Sequence, residues 1–285
     1  MTANLFKLEG VRVDSLNDFI EREVDNEFKN ILYYPDCFKS KGREPIVMNE
    51  SKFSEVSFKD TDFENVRFID CVFEKCLFIG ASITNCEFTN CTFIDTNTAK
   101  LKIKGCLLDP VMFDGNFDLV DDSNIAIDLY HSLYKNSSET HQPEYAVESL
   151  YRMKVAESKQ LDSKSRRKQI NRKEYLKEKL KHWMHDFVSG YGLRVGKVFR
   201  FLLIVISIFT LLNYSLKSFI FNEAESLSLV DAFYFTCVTI TTLGYGDIAP
   251  TSQIGRFLIV IQVLVGFVVI SLFLSATAKR ALRAG

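Results

Sequence analysis

Histidine is scarce in this chain of 285 residues, which contains four. His182 and His185 are three positions apart on a predicted helix, and Asp186 is the nearby carboxylate. We expect a solvated or interfacial pair here rather than a metal site, because no cysteine completes a ligand set. The glycines between residues 190 and 196 are typical of a hinge and do not form a phosphate-binding loop. The sequence therefore does not indicate an enzyme, and we expect no cofactor.

The seven cysteines include no CxxC pair, so a zinc site is not expected. The first fifteen residues lack the long apolar core of a signal peptide, which predicts that the N-terminal part stays in the cytosol, where disulfides are rare. Five cysteines are separated by multiples of five residues: Cys71, Cys76, Cys86, Cys91 and Cys106. We interpret them as small buried apolar side chains.

An internal repeat of five residues occupies much of the N-terminal half. Its bulky positions are Phe53, Phe58, Phe63, Phe68, Phe73, Phe78, Ile83, Phe88 and Phe93, and after Thr98 the series resumes with Ile103, Leu108 and Phe113. A period of five would scatter these residues around a helix and alternate them between the faces of a strand. All of them can point inward only if the chain turns once per repeat.

In this register, residues 46–115 resemble the pentapeptide-repeat family. The resemblance implies a right-handed quadrilateral parallel β-helix with four repeats per coil, and repeat folds of this kind need capped ends. A helix predicted over residues 15–33, with Ser15 as its N-cap, is the candidate for the N-terminal cap. Residues 46–115 carry eleven acidic and seven basic side chains, which is too mild an excess for a DNA mimic. We expect no nucleic-acid partner.

Residues 124–187 have helical periodicity. A short helix is predicted over Ile127 to Tyr134, a second begins at Pro143, and a third extends from Ser163 to Phe187. The third has an apolar stripe beside many basic residues, a pattern typical of helices that lie in the headgroup layer of a bilayer. Its predicted lipid-facing residues, with anionic lipids as partners, are Arg172, Lys173, Lys177 and Lys181. A solvated helix that packs on the repeat domain is the alternative.

Two apolar segments are long enough to cross a lipid bilayer. The first begins near Val198 and is almost wholly apolar from Phe201 to Leu212, and the second, Phe257 to Ala278, carries no charge. Basic residues cluster before the first segment and after the second, whereas residues 218–255 contain none. This distribution predicts a multi-pass protein of the cell membrane with both termini cytoplasmic. No helix has the regularly spaced arginines of a voltage sensor.

Between the two apolar segments lies the run TTLGYGD, from Thr241 to Asp247. An S-x-x-D start signal and a predicted helix from Ala232 to Ile240, too short to cross a membrane, precede it. Gly244 and Gly246 permit backbone conformations that other residues avoid, so consecutive carbonyl oxygens can point the same way. A ring of such oxygens can replace the hydration shell of a monovalent cation.

The order of span, short helix, TTLGYGD and span resembles the two-transmembrane-helix potassium channels over Val198 to Arg283. The resemblance implies that K⁺ is the only metal bound and that Asp247 lies at the outer mouth. The ion-binding residues of the implied filter are Thr242, Leu243, Gly244, Tyr245 and Gly246. One chain supplies one loop, so a closed ring requires a homotetramer. Leu243 occupies a position where valine is commoner, and Val238 occupies one that some family members fill with glutamate.

The resemblance also makes Gly266, in the middle of the second span, a gating hinge. Close helix packing through a small residue is the alternative explanation for this glycine. Four residues on one helical face beyond it are predicted to line the inner pore: Phe267, Ile270, Leu274 and Ala278.

The sequence thus predicts a multi-domain chain. It comprises a cap over residues 1–45, the β-helix over 46–120, a helical linker over 121–190, and an all-α two-span pore domain over 191–285. We expect a tetrameric channel that conducts K⁺ passively, with an inner-helix gate and a repeat domain that regulates or assembles the pore through an unknown cytoplasmic partner. A poorly selective cation channel and a membrane-anchored repeat scaffold are the alternatives.

Overall fold

The computed structural model describes residues 8–40, 42, 44–221 and 227–284. The chain forms two compact units, residues 1–179 and residues 180–285. The first is a solenoid of parallel strands followed by helices, and the second is helical throughout its regular elements in the residues that the structure describes.

Twelve short strands build the solenoid in the described part of the first unit. They are β1 (Val11–Val13), β2 (Glu27–Tyr33), β3 (Cys37–Lys39), β4 (Ile46–Asn49), β5 (Lys52–Ser57), β6 (Asp62–Glu64), β7 (Val66–Ile69), β8 (Val72–Glu74), β9 (Ser82–Thr84), β10 (Glu87–Thr89), β11 (Thr92–Ile94) and β12 (Lys102–Lys104).

The strands pair in parallel and form the sides of a coil. Three sheets have the orders β1-β2-β5-β8-β11, β4-β7-β10 and β3-β6-β9-β12. A row of isolated bridges that joins Ser57 to Leu77 and Leu77 to Asn97 forms a fourth side. Phe73 lies beside Phe53 in one coil and beside Phe93 in the next, an offset of twenty residues each way. Four repeats of five residues therefore complete one coil, and the predicted quadrilateral β-helix is confirmed.

One column of stacked phenylalanine rings runs along the solenoid core on the side of strands β2, β5, β8 and β11. The stack consists of Phe19, Phe28, Phe53, Phe73, Phe93 and Phe113, with successive ring centroids 4.6, 5.1, 4.8, 4.7 and 4.3 Å apart. Neighbouring rings in the stack are tilted by at most 15°. This packing buries every member of the stack, which is why one bulky residue per side recurs along the sequence.

The corners of the coil use the left-handed backbone conformation. Positive φ recurs every fifth residue, at Glu50, Glu55, Asp60, Asn65, Asp70, Lys75, Gly80, Asn85, Asn90, Asp95, Lys100 and Gly105. Asn, Asp and Gly tolerate this conformation best, and they hold most of these positions. A Cβ atom at Gly80 would lie 2.2 Å from the Asp60 carboxylate in the adjacent coil, so a side chain there would have to displace that carboxylate.

The cysteines of the repeat are buried, as predicted. The Cys76 thiol lies 3.3 Å from the Phe53 carbonyl oxygen, and the Cys91 thiol lies 3.4 Å from the Phe68 carbonyl oxygen in the neighbouring coil. Burial raises the pKa of Cys76 to about 12, so this thiol stays protonated at neutral pH. These thiols act as compact side chains with a local hydrogen bond.

The predicted cap helix over residues 15–33 is wrong. The structure has a helix α1 of five residues, Leu16–Ile20, with Ser15 as its N-cap, and then strand β2. Asp25 and Asn26 between them have positive φ, which a continuous helix does not allow. Phe28 and its successors at intervals of five belong to the solenoid, so the segment predicted as a cap contributes strands to the sheets. Within the segment predicted as a cap, helix α1 covers the end of the ring stack, because its Phe19 ring packs on Phe28.

The other end of the solenoid is closed by a 3₁₀ turn, Pro110–Phe113, and by helices α2 (Ser123–Glu139) and α3 (Pro143–Arg166). Two asparagine side chains take the place of a further coil. The Asn116 amide bonds the Thr96 backbone N–H and C=O at 2.8 and 3.0 Å, and the Asn136 amide bonds those of Cys106 at 2.9 and 2.8 Å. These bonds satisfy peptide groups that would otherwise be buried without partners.

The predicted third helix is divided between two helices. α3 continues to Arg166, Lys168 has positive φ, and helix α4 begins at Arg172 and ends at Ser189. α3 and α4 are joined by Asp162, whose carboxylate accepts hydrogen bonds from Lys179 at 2.8 Å and from Tyr175 at 3.0 Å.

The second unit contains α5 (Val195–Ser215), α6 (Lys217–Ile220), α7 (Leu229–Ile240) and α8 (Gln253–Ala284). α5 and α8 are long and apolar enough to span a membrane, and only 17% of the most apolar stretch of each is buried within the chain. A core helix of a soluble protein is mostly buried, so this exposure agrees with the two predicted spans.

Candidate functional site

Helix α7 begins with a complete capping box. The Ser228 hydroxyl accepts from the Asp231 N–H at 3.2 Å, and the Asp231 carboxylate accepts from the Ser228 N–H at 2.9 Å. The predicted start signal is therefore real, and it fixes the first turn of the helix. Ala232, Phe235, Thr236, Val238 and Ile240 are buried, so one face of the helix packs inside its unit, while Val230 and Phe233 on the other face are exposed.

The backbone after α7 alternates in handedness. Thr242, Gly244 and Gly246 have φ values of +59°, +56° and +78°, whereas Leu243 and Tyr245 are outside the left-handed region. Positive φ at a β-branched residue such as Thr242 is an outlier, and such strain concentrates at functional sites. The Val238 carbonyl accepts hydrogen bonds from the N–H groups of Leu243 at 3.0 Å and Gly244 at 3.4 Å, which tie the loop to the helix.

The carbonyl oxygens of residues 242–246 accept no hydrogen bond from any residue in the described part of the chain. All residues from Thr241 to Asp247 are exposed in the single chain, including 61% of Leu243 and 68% of Tyr245. Free peptide oxygens need water or a cation as a partner. The C-terminal end of α7, which carries partial negative charge, immediately precedes them and favours a cation there.

Asp247 interacts with helix α7, a contact that the sequence analysis did not predict. Its carboxylate interacts electrostatically with the Tyr234 hydroxyl. This interaction links the end of the TTLGYGD segment to the helix that precedes it. A tyrosine on a short apolar helix was the available signal, because a buried or interfacial hydroxyl usually has a partner.

Gly266 lies against the end of α7. A Cβ atom at this position would be 3.0 and 3.1 Å from the two γ carbons of Ile240 and 3.2 Å from its Cα. Ile240 is buried and packs with Val205 and Val269. The small size of Gly266 thus lets α8 approach the last residue of α7, directly before the TTLGYGD segment.

The residues predicted to line the inner pore do not share one environment. Phe267, Leu274 and Ala278 are exposed in the single chain. Ile270 is partly buried against the cluster of Val205, Ile240 and Val269. The structure therefore places three of the four on an open face of α8 and directs Ile270 toward the other helices.

The basic residues predicted to face lipid are all exposed on α4: Arg172, Lys173, Lys177 and Lys181. The apolar side chains at helical spacing beside them are also exposed, and they are Leu176, Leu180, Trp183 and Met184. Lys197, in the first turn of α5, pairs with Asp186 of α4 at 2.6 Å.

The residues that the structure describes contain no group of three or more His, Cys, Asp or Glu that could hold a metal ion. The His182 ring lies 3.2 Å from the Tyr191 hydroxyl, so this histidine has a neutral polar neighbour.

Comparisons with known proteins agree with this geometry. Residues 198–283 match the family described as ion channel. Residues 42–113, within the solenoid, match the family described as the SV2A/B/C luminal domain. The chain is thus similar to ion channels over its second unit, and together with the two spans this match makes it a membrane protein.

Several potassium channels are similar to parts of this chain. Two pore potassium channel a of Oryza sativa subsp. japonica is 42% identical over 57 residues, 20% of this chain and 16% of that protein. Two-pore potassium channel 4 of Arabidopsis thaliana is 36% identical over 81 residues, 28% of each chain. The hyperpolarization-activated voltage-gated potassium channel of Methanocaldococcus jannaschii is 56% identical over 34 residues, 12% of this chain and 16% of that protein. The chain spans less than a third of the length of each of these relatives.

Proposed function

We propose that four copies of this chain form a potassium-selective channel. The carbonyl oxygens of residues 242–246 coordinate dehydrated K⁺, and Asp247 attracts cations at the outer mouth. The observation that carries this proposal is the run of carbonyl oxygens without hydrogen-bond partners in the described part of the chain. The run follows a helix C-terminus inside a region that matches ion channels. Conduction is passive, and the protein is not an enzyme.

The geometry of one chain supports assembly into a ring of four. A single loop supplies one column of oxygens, and a closed shell around an ion requires several identical columns. Cyclic symmetry provides this with one type of contact between subunits. The large exposed apolar side chains of the segment, Leu243 and Tyr245, are surfaces that neighbouring copies bury in such a ring.

The two alternatives make different use of the same parts. A poorly selective cation channel keeps the ring but does not discriminate K⁺ from Na⁺. A membrane-anchored repeat scaffold uses α5 and α8 as anchors and conducts nothing. The positive φ at Thr242, a β-branched residue, favours a built ion path over a simple anchor, because an anchor does not require a strained backbone there.

Gly246→Ala tests the channel. A Cβ atom at Gly246 has no neighbour within 4 Å in the chain, so the substitution acts through its backbone angle of +78°. A side chain in that conformation costs roughly 1–2 kcal/mol in each subunit. We expect K⁺ flux from liposomes that hold purified protein to fall about tenfold or more.

The matched control is Gly196→Ala. This glycine lies in the first turn of α5, has open space around it and has no left-handed backbone angle. Wild-type and control protein should pass K⁺ but not Na⁺, with block by Ba²⁺. Equal Na⁺ and K⁺ flux would favour the poorly selective channel, and no flux at all would favour the scaffold.

Gly266 acts as the hinge of an inner gate in this proposal. The competing explanation for a glycine at this position is its close contact with Ile240. Gly266→Ala should lower the open probability of single channels in planar bilayers. If the hinge is responsible, the added Ile240→Ala change will not restore opening, although it makes room for the new methyl group. Unchanged gating in Gly266→Ala, or recovery in the double variant relative to Ile240→Ala alone, would leave packing as the explanation.

Helix α4 lies on the cytoplasmic headgroup layer in this proposal, with both termini on the cytoplasmic side. Its exposed apolar stripe lies beside four exposed cations, and each cation near an anionic surface contributes about 1 kcal/mol. Changing Arg172, Lys173, Lys177 and Lys181 to Gln should reduce the anionic lipids that stay bound in native mass spectrometry. The control removes the same charge from the solenoid, at Lys59, Lys100, Lys102 and Lys104. Equal lipid retention by both variants would contradict lipid contact.

The repeat domain regulates or assembles the pore in this proposal. Because α2 and α3 close the solenoid through Asn136 and its neighbours, a deletion must remove residues 2–169 rather than the strands alone. Fewer tetramers with normal current per tetramer would indicate a role in assembly. Normal tetramers with a changed open fraction would indicate regulation. A variant that matches the full chain in both measurements would rule out both roles.

A further inference from the structure

Three polar side chains meet where the three main helices of the second unit pack together. They are Asn213 on α5, Thr236 on α7 and Gln262 on α8, and all are at least 97% buried. The Asn213 amide nitrogen lies 2.9 Å from the Thr236 hydroxyl oxygen and 3.0 Å from the Gln262 side-chain oxygen. We call these residues the polar triad.

Asn213 is the centre of the triad. Its amide group has two hydrogens, and each is donated to a different helix. The Thr236 hydroxyl donates its own hydrogen to the Ala232 carbonyl at 2.7 Å, so its oxygen is left to accept from Asn213. Removal of Asn213 therefore breaks both links at once.

The triad is a poor choice if stability alone is the purpose. The Gln262 amide nitrogen is buried and has no hydrogen-bond partner in the described part of the chain. An unsatisfied buried donor is unfavourable, whereas apolar side chains of the same shape would pack there without that penalty. Polar residues inside membrane spans mark functional positions by default.

The triad lies close to the helix end that precedes the TTLGYGD segment. Thr236 lies one helical turn before Ile240, the last residue of α7, and Gln262 lies one turn before Gly266 on α8. α7 and α8 are linked through the triad and, one helical turn further along, by the direct contact of Gly266 with Ile240. The Val238 carbonyl, which accepts hydrogen bonds from the TTLGYGD segment, lies between these two points on α7. A rotation or shift of α7 against α5 or α8 must break the triad.

From this geometry we propose that Asn213, Thr236 and Gln262 are positioning residues that hold α7 in register, so that the carbonyl oxygens of residues 242–246 keep the spacing that suits K⁺. This inference rests on the proposed function of the segment. It assigns part of the ion selectivity to side chains that do not touch the ion.

Thr236→Val removes the hydroxyl with little change in shape, and Asn213→Leu removes both links. Either change should lower the K⁺/Na⁺ permeability ratio of the full-length tetramer by about three- to tenfold, the range that corresponds to one interhelical hydrogen bond in a membrane. Thr236→Ser keeps the hydroxyl and should therefore keep the wild-type K⁺/Na⁺ permeability ratio. The matched control is Thr210→Val, because the Thr210 hydroxyl on α5 is buried without a partner in the described residues.

A second measurement does not depend on conduction. Bound K⁺ protects the folded tetramer against heat, so the K⁺ concentration at half-maximal protection reports the affinity of the filter. This midpoint should rise about three- to tenfold in Thr236→Val and Asn213→Leu, because these variants lose the same interhelical hydrogen bonds. The double variant, with both Thr236→Val and Asn213→Leu, should shift the midpoint no more than Asn213→Leu alone does, because Asn213→Leu already removes both links.

The proposal is overturned if Thr236→Val keeps wild-type selectivity and midpoint, if Thr236→Ser fails to keep them, or if Thr210→Val changes them equally. Fewer tetramers with unaltered selectivity would show a purely structural role and would also overturn it. A wild-type protein that binds K⁺ but conducts none would refute the channel, and the midpoints would still decide the role of the triad.

Discussion

A peptide group that leaves water must find a partner for its N–H and its C=O, and this requirement shapes both units of the protein. In the solenoid, each coil satisfies the next, and the last coils are satisfied by the side-chain amides of Asn116 and Asn136. In the second unit, α7 satisfies its first turn through the Ser228 capping box. The segment after α7 leaves a row of oxygens without hydrogen-bond partners within the described chain, and these oxygens are open to a cation.

Close packing restricts side-chain size in both units. The solenoid admits one bulky ring per side, and a glycine where the corners of adjacent coils crowd, as Gly80 shows against Asp60. In the second unit, Gly266 lets α8 reach the end of α7. In each case a methyl group on the glycine would have to displace a neighbouring side chain.

Much of this could be predicted from the chain itself. The five-residue period identified the solenoid, because bulky residues at that spacing are buried only when the chain turns once per repeat. The length and apolarity of the spans identified α5 and α8, and the S-x-x-D signal identified the start of α7. The helix predicted over residues 15–33 failed because Ile20, Val24 and Phe28 happen to fit helical spacing. The segment instead folds as a short helix and a strand, whose Phe19 and Phe28 rings stack on each other. The polar triad was not predicted, since Asn213 and Gln262 are 49 residues apart.

The sequence by itself determined the local elements: which segments coil, which are helical, which cross the membrane, and where glycine permits unusual backbone angles. These properties depend on residues close together in the chain, so periodicity and composition reveal them. Only the tertiary structure decided which side chains meet across helices, that Tyr234 interacts with Asp247 and that Ile270 packs against the other helices while the other predicted pore-lining residues are exposed. Contacts of that kind depend on the rotation of each helix about its own axis, which is set by packing between distant segments.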